Sequence, residues 1–355
     1  MFQLIYKNRT FQNLEDFHQF DENESEFLKD ALSFCKEWLE GKDVFFQKTS
    51  GSTGAPKIIS IQRKSMEAST KGTGSFFKIN PQDVLFCCLN PAYIAGKMML
   101  VRAMEWQVPV ILQEPSSNPL LGYSFPNPPT FIALVPMQME MILANPETSE
   151  LVKNIPHIIL GGAPVNFRLK KSIIQNGISA FQTFGMTETV SHYALAPISE
   201  NELLYTCLPR VSIGTDERDT LWVKSAMSGP EPIQTNDLVE IENGNSFRWL
   251  GRADFVINSG GVKLHPELLE IKAEEIIQNL YPKSRYFFAG VPDQTLGEKL
   301  VLFIEKEQDG IDSSHSLIQE LSQKLDKYEK PKEIVFRAKF VETPSGKINR
   351  KATAQ

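Results

Sequence analysis

Apolar positions follow two rhythms in the first part of the chain. Over residues 24–40, Phe27, Leu28, Ala31, Leu32, Cys35, Trp38 and Leu39 recur every three to four positions, and Gly41 follows as a stop, which predicts an amphipathic helix. Residues 44–47 read as a short strand that runs into a small-residue loop. Beyond it, short apolar runs at 84–89, 108–112, 131–135 and 157–160 read as buried strands. Helical patterns at 65–72, 94–105, 137–144 and 166–175 lie between them, and a further strand is expected at 178–181. Strands alternating with helices predict an α/β fold with a largely parallel sheet.

The rhythm changes after residue 200. Short strands at 219–223 and 238–241 sit between Gly, Pro and Asn turns, which predicts a small antiparallel β subdomain over 200–250. From about residue 252 a third pattern begins. Residues 265–280 predict a helix, with Pro266 in its first turn and Glu267 and Glu270 placed early, where they complement the helix dipole. Strands at 286–291 and 300–305, a helix at 314–328 and a strand at 333–338 complete a compact α+β unit. The Pro-rich stretch 115–129 reads as a surface loop.

Composition narrows the function classes. Hydrophobic residues make up 41% and charged residues 23% of the 355 positions, ordinary for a globular chain of this size. The net charge of −6 leaves no basic footprint for nucleic acid, so an anionic substrate must be held by local groups. Cys35, Cys87, Cys88 and Cys207 show no CxxC spacing, which argues against a structural zinc site or a disulfide scaffold and for buried thiols in a reducing compartment. Residues 1–7 lack the apolar core of a signal peptide, and no run of about 18 apolar residues spans a membrane. The expected location is cytoplasmic; the sequence does not speak to oligomeric state.

Four segments carry candidate chemistry. Thr49-Ser50-Gly51-Ser52-Thr53-Gly54-Ala55-Pro56-Lys57 packs hydroxyls, glycines and a lysine into one loop after a strand. Glycines let amide N–H groups face an anion, hydroxyls add neutral donors and Lys57 adds charge, so the loop suits a polyphosphate. It is not a Walker A loop, because Pro56 stands where that pattern needs its second glycine. In Phe184-Gly185-Met186-Thr187-Glu188-Thr189, Phe184 can stack on a base and Glu188 can ligate magnesium, which needs few protein groups. Asp237, in Thr235-Asn236-Asp237, can accept from two ribose hydroxyls, and Arg252 can reach ribose or phosphate; Gly251-Arg252-Ala253-Asp254 and Asn258-Ser259-Gly260-Gly261-Val262-Lys263 follow. Near the C-terminus, Thr343-Pro344-Ser345-Gly346-Lys347-Ile348-Asn349-Arg350 can deliver an ammonium from a loop. Read singly, each segment is also what a turn or a solvated surface would show.

In this order the four segments resemble the adenylate-forming superfamily of acyl-CoA synthetases, luciferases and peptide-synthetase adenylation domains. The resemblance runs from about Gln47 to Arg350. It implies a large N-terminal domain (1–253) with mostly parallel sheets and a small β subdomain, and a small mobile α+β C-terminal domain (254–355). It implies ATP, Mg²⁺ and coenzyme A as reactants. By the same resemblance, the loop 49–57 wraps the ATP phosphates. Gly162 and Ala163, in Leu160-Gly161-Gly162-Ala163-Pro164, border adenine with Phe184. Thr187 lies near the α-phosphate, Glu188 holds magnesium, Asp237 and Arg252 hold ribose, Asp254 matches the hinge and Lys347 the mobile lysine. Gly260 and Gly261, lacking side chains, would line a pantetheine path.

Within the superfamily the chain is most similar to the o-succinylbenzoate–CoA ligases, on the strings 134–139, 160–165 and 185–192. Two departures stand out: only 48 residues precede the phosphate loop, and Tyr93 stands where the family often has a histidine. A dicarboxylate acid needs a partner for its spectator carboxylate. Lys97 and Arg102, on one broad face of the predicted helix, and Ser191 and His192 beside the nucleotide loop are the candidates. A ligase for another aromatic or fatty acid, a stand-alone adenylation domain loading a carrier protein, and a non-catalytic nucleotide-binding scaffold are the competing readings.

Overall fold

The computed structural model describes residues 1–18, 23–48, 58–123, 128–282, 284–307, 311–343 and 347–355. Thirteen described strands form one sheet. Read from one edge, they are Ser212–Thr215, Thr220–Lys224, Ile233–Ile241, Ser246–Arg252, Tyr205–Cys207, His192–Pro197, Ala180–Gly185, His157–Leu160, Phe131–Leu134, Leu85–Cys87, Pro109–Leu112, Gln3–Tyr6 and Arg9–Phe11. Neighbours from Ala180–Gly185 through Gln3–Tyr6 pair parallel, and the strands from His192 to Arg252 pair antiparallel. The β subdomain therefore joins the parallel strands edge to edge, and it begins at His192, earlier than the turn-rich composition indicates.

Alternation along the parallel strands covers both faces. Leu85, Cys87, Phe131 and Ala133 enter one core, and Phe86, Cys88, Ile132 and Leu134 enter the other. Helix Ile94–Trp106 is buried nearly all round, from Met98 through Met104. Its first turn presses on the preceding loop so closely that a Cβ on Gly96 would stand 2.4 Å from the Asn90 carbonyl oxygen. Helix Arg63–Phe77 is longer than the 65–72 pattern predicts. Its inner face is built partly from hydroxyls, Ser69, Thr70 and Thr73, which an apolar rhythm does not register.

Beyond the large sheet, five described strands (Ile257–Ser259, Val262–Leu264, Tyr286–Asp293, Gly297–Glu305 and Glu333–Arg337) form a second sheet. Helices Pro266–Leu280 and Ile311–Lys324 pack with it around a separate core that begins at Ile257. The second helix stops at Lys324, short of the expected 328. The chain turns there, with Glu329 N–H donating to the Asp326 carbonyl at 3.0 Å and Asp326 N–H donating to the Glu329 carboxylate at 3.1 Å. No helix among the described residues is long and apolar enough to cross a membrane.

All four cysteines are buried and free. Burial pushes the thiols of Cys87 and Cys207 up to about 12 and raises those of Cys35 and Cys88 well above the usual thiol range.

Candidate functional site

Gly162, Ala163, Phe184, Thr187, Glu188, Ser191 and His192 lie where the parallel strands end and the antiparallel ones begin. Reversal of strand direction opens a crevice at the carboxyl ends of an α/β sheet, which is where such folds bind ligands. Strand His157–Leu160 runs into Gly161-Gly162-Ala163-Pro164 there. Gly161 donates its N–H to the Leu134 carbonyl at 3.0 Å and lies so close to Thr183 that a Cβ would stand 2.7 Å from the Thr183 Oγ1. Gly162, at φ +85°, turns the chain over the sheet edge, and both it and Ala163 are exposed. A concavity of about 270 Å³ opens nearby, bounded by Leu89, Asn90, Ser116, Val135 and Gln138.

Phe184, on strand Ala180–Gly185, is half-buried and packs edge-on against Tyr193, Phe247 and Tyr205, with ring centroids 5.0–5.7 Å apart. The aromatic ring is thereby fixed at the mouth of the core rather than free to rotate. The 3-10 turn Thr187–Thr189 follows, with Thr187 half-buried and Glu188 exposed. It ends in a γ-turn: Ser191 N–H donates to the Thr189 carbonyl at 2.7 Å, with Val190 between at φ +65° and ψ −47°. A β-branched residue in that conformation costs on the order of 1–3 kcal/mol, and such strain clusters at functional loops. The turn was not legible in the sequence. It is what swings Ser191 and His192 back beneath the loop, and Gly185 permits it, because a Cβ there would stand 2.5 Å from the His192 Cα.

Beneath the loop runs a buried polar chain. Thr73 Oγ1 donates to the Ser69 carbonyl at 3.1 Å, so it accepts from His192 Nε2, also at 3.1 Å. That leaves His192 Nδ1 to accept from the Ser191 hydroxyl at 3.4 Å, and Ser191 Oγ to accept from Arg102 Nη2 at 3.1 Å. Burial, and then the adjacent guanidinium, hold His192 well below the usual histidine range, in keeping with this neutral tautomer. Arg102 is 2% exposed. Burial pulls its guanidinium down to about 10, so it stays charged at neutral pH. Among the described residues no carboxylate lies within ion-pair distance of it, and its Nε has no partner.

Lys97 and Arg102 do not converge on one target. Five positions turn a helix through about 140°. Lys97 Nζ donates to Gln47 Oε1 at 3.0 Å, at the base of the hairpin Val44–Lys48 and Ile58–Gln62, whereas Arg102 points to Ser191. Tyr93 caps helix Ile94–Trp106 and is 66% exposed. The candidate phosphate-loop residues Thr49, Ser50, Gly51, Ser52, Thr53, Gly54 and Lys57 lie outside the described residues.

On the antiparallel side, Asp237 and Arg252 are cross-strand partners. Asp237 Oδ1 accepts from Trp249 Nε1 at 3.1 Å and lies 3.8 Å from Arg252 Nη1. Arg252 Nη2 reaches Asp254 at 3.1 Å, so one guanidinium joins the two carboxylates. Trp249, which stands in no sequence motif, fixes the Asp237 side chain. Gly260 and Gly261, at φ +57° and +83°, form the two-residue turn between Ile257–Ser259 and Val262–Leu264, which only glycine-like residues accommodate easily. Lys347 is exposed at the base of a small hairpin: Thr343 N–H donates to its carbonyl at 2.7 Å, and its own N–H donates to Thr343 Oγ1 at 3.2 Å. Among the described residues no cluster of three or more His, Cys, Asp or Glu side chains is arranged to hold a metal ion.

Comparison with known proteins gives a consistent picture. Residues 4–215 match the family described as AMP-binding enzyme, and residues 284–347 match the AMP-binding enzyme C-terminal domain. The chain is 38% identical to an acyl-CoA synthetase (AMP-forming)/AMP-acid ligase II-like protein from Dyadobacter fermentans, covering 96% of this chain and 97% of that one at a TM-score of 0.65. A 2-succinylbenzoate–CoA ligase from Bacillus cytotoxicus is 23% identical, over 86% of this chain and 69% of its own length. The o-succinylbenzoate coenzyme A synthetase of Bacillus subtilis, solved with ATP and magnesium, superposes at a TM-score of 0.71 and 20% identity, covering 87% of this chain and 69% of that one.

Proposed function

Because the chain belongs to the AMP-binding enzyme family and is an AMP-forming acid–thiol ligase that uses ATP, Mg²⁺ and coenzyme A, we propose that the acid it activates is a dicarboxylate, o-succinylbenzoate. The observation that carries this reading is Arg102. A guanidinium buried to 2% exposure without a carboxylate is costly, and it sits one hydroxyl away from the nucleotide loop. The spectator carboxylate of a diacid is the missing anion. The low-identity ligases of 2-succinylbenzoate support the same choice.

In this reading residues 1–253 form the adenylation domain and residues 254–355 the small domain, with Asp254 at the hinge and a cytoplasmic location. Adenine lies along Gly162 and Ala163 against Phe184, and ribose is held by Asp237 and Arg252. The loop 49–57 holds the phosphates, with Thr187 beside the α-phosphate. The reacting carboxylate displaces pyrophosphate in line, and Lys347 neutralises charge that develops there. Glu188 fits magnesium: it is an exposed carboxylate at the end of the strand, and Mg²⁺ is commonly held by one or two carboxylates together with substrate phosphates. When bound, the ion supplies charge neutralisation on the phosphates. A thiolate of coenzyme A, arriving along a path past Gly260 and Gly261, then attacks the acyl carbon; the acyl–phosphate bond breaks, AMP leaves and the thioester forms. Tyr93, at the mouth of the acid site, takes the place of the histidine common in the family.

Two measurements bear on this reading. ATP–pyrophosphate exchange across a panel of carboxylic acids should be highest with o-succinylbenzoate and should yield its CoA thioester on addition of coenzyme A. A higher rate with a monocarboxylic fatty acid would replace the substrate while leaving the ligase intact. Asp237→Ala should weaken ATP binding by about 1.5–3 kcal/mol, roughly 10- to 100-fold in Kd by titration calorimetry, since a charged acceptor is lost. An unchanged Kd would remove Asp237 from the ribose site.

A further inference from the structure

The segment that carries Lys347 is held at both ends by arginine–carboxylate clamps whose residues play no part in the reaction as described so far. At its C-terminal end, Arg350 grips Glu270 of helix Pro266–Leu280 with two bonds, Nη1 to Oε1 at 2.7 Å and Nη2 to Oε2 at 2.8 Å. Glu270 Oε1 also accepts from Phe288 N–H at 3.0 Å, so the clamp is anchored to a strand as well as a helix. At its N-terminal end, Glu342 pairs with Arg285 at 2.7 Å. Arg285 is itself held by both oxygens of Glu305, each at 2.6 Å. Between the clamps, Glu342 and Ile348 form an antiparallel bridge, and Asn349 N–H donates to the Val341 carbonyl at 2.8 Å.

Arg350 also reaches the turn that precedes helix Pro266–Leu280, whereas Arg285 lies over Phe340. Its guanidinium lies 4.9 Å from the ring centroid of Phe255, in the 3-10 turn Ala253–Phe255 that contains Asp254. One side chain therefore touches the turn between the two sheets, the helix that follows it and the base of the lysine hairpin. Arg350 lies only three positions after Lys347, a span of at most about 10 Å, so movement of the clamp is passed directly to the lysine. Bidentate pairing fixes orientation as well as distance, which a single-point lysine contact does not.

We propose that Arg350, clamped on Glu270 and stacked on Phe255, is a positioning residue that sets the reach of Lys347 into the adenylation site, with Arg285–Glu342 as its second support. The proposal rests on the reading of Lys347 as the adenylation lysine. It predicts that damage to the clamps impairs the first half-reaction alone.

The test uses the full chain and the acid that gives the highest exchange in the panel above. Arg350→Gln should lower kcat for ATP–pyrophosphate exchange by about tenfold or more, because misplacement of a catalytic group by about 1 Å carries losses of this order. KM for ATP and the rate of thioester formation from supplied acyl adenylate should stay within about twofold of the parent, a split that a merely structural role does not give. Arg350→Lys should recover part of the loss, and Glu342→Gln should show a smaller loss confined to exchange. Equal losses in both half-reactions, or unchanged exchange in Arg350→Gln, would overturn the proposal. If Arg350→Gln fails to fold, Glu342→Gln, altered at a partly exposed side chain, decides by the same split. Lys347→Ala measured in parallel separates the two ideas: if it keeps full exchange, the reading of the lysine is at fault, and if it alone loses exchange, the clamp is.

Discussion

Lys347→Ala is expected to lower ATP–pyrophosphate exchange by about 10²–10³-fold, the usual cost of removing one group that stabilises charge in a transition state. Thioester formation from supplied acyl adenylate should remain near the parent rate. The asymmetry follows from where the residue sits. Lys347 is exposed, on a hairpin of the small domain, and among the described residues its ammonium has no carboxylate partner. Nothing in the fold commits that charge to stability, so its removal should leave the melting temperature nearly unchanged. Stopped-flow or quench measurement of each half-reaction separates the two rates. Equal loss in both would mean that the lysine acts on binding common to the whole cycle.

Arg102→Met is expected to do two opposite things. Replacing a buried charge that lacks its counter-ion by an apolar side chain of similar length should leave stability unchanged or raise it. The same change should reduce kcat/KM for o-succinylbenzoate by roughly 10²–10⁴-fold, because a site built around a polar contact discriminates strongly against its loss. An analogue with the spectator carboxylate esterified should be used by the variant at least as well as by the parent, and KM for ATP should stay near normal. Lys97→Ala serves as the contrast, since that ammonium is engaged with Gln47. If Arg102→Met treats diacid and ester as the parent does, the buried cation is not the reader of the second carboxylate.

The elements with strong apolar rhythm were legible in the sequence, and those whose identity depends on pairing were not. Residues 157–160 and 266–280 read directly, because three consecutive apolar residues in one case and Pro266 with early glutamates in the other leave little choice. Gln3–Tyr6 was read only as not being a leader, yet it pairs in parallel with Pro109–Leu112, a long-range contact that local pattern does not encode. The strand Ser246–Arg252 is hidden for the same reason: Leu250 beside Trp249 breaks a clean alternation, and the segment gains meaning only beside Ile233–Ile241. Among site residues, sequence motifs identified Phe184, Asp237 and Arg252, the last two of which are cross-strand partners in the fold. They gave no sign of Thr73, whose hydroxyl orients His192, or of Trp249, whose indole holds Asp237. Neither stands in a motif, and only geometry gives them a role.

The state of the cysteines has a chemical consequence for an enzyme of this kind. An acyl adenylate is an electrophile made to be captured by a thiolate, and a thiolate on the protein itself would be a competing acceptor. Burial raises Cys87 and Cys207 to about 12, and it raises Cys35 and Cys88 well above the usual thiol range. At neutral pH a thiol raised to about 12 is ionised in only about one molecule in 10⁵, and all four are buried. The protein thus holds an activated acyl group without offering it an internal nucleophile of the same type as its second substrate. Self-acylation is suppressed by burial alone, and the choice of acceptor is left to the incoming thiol.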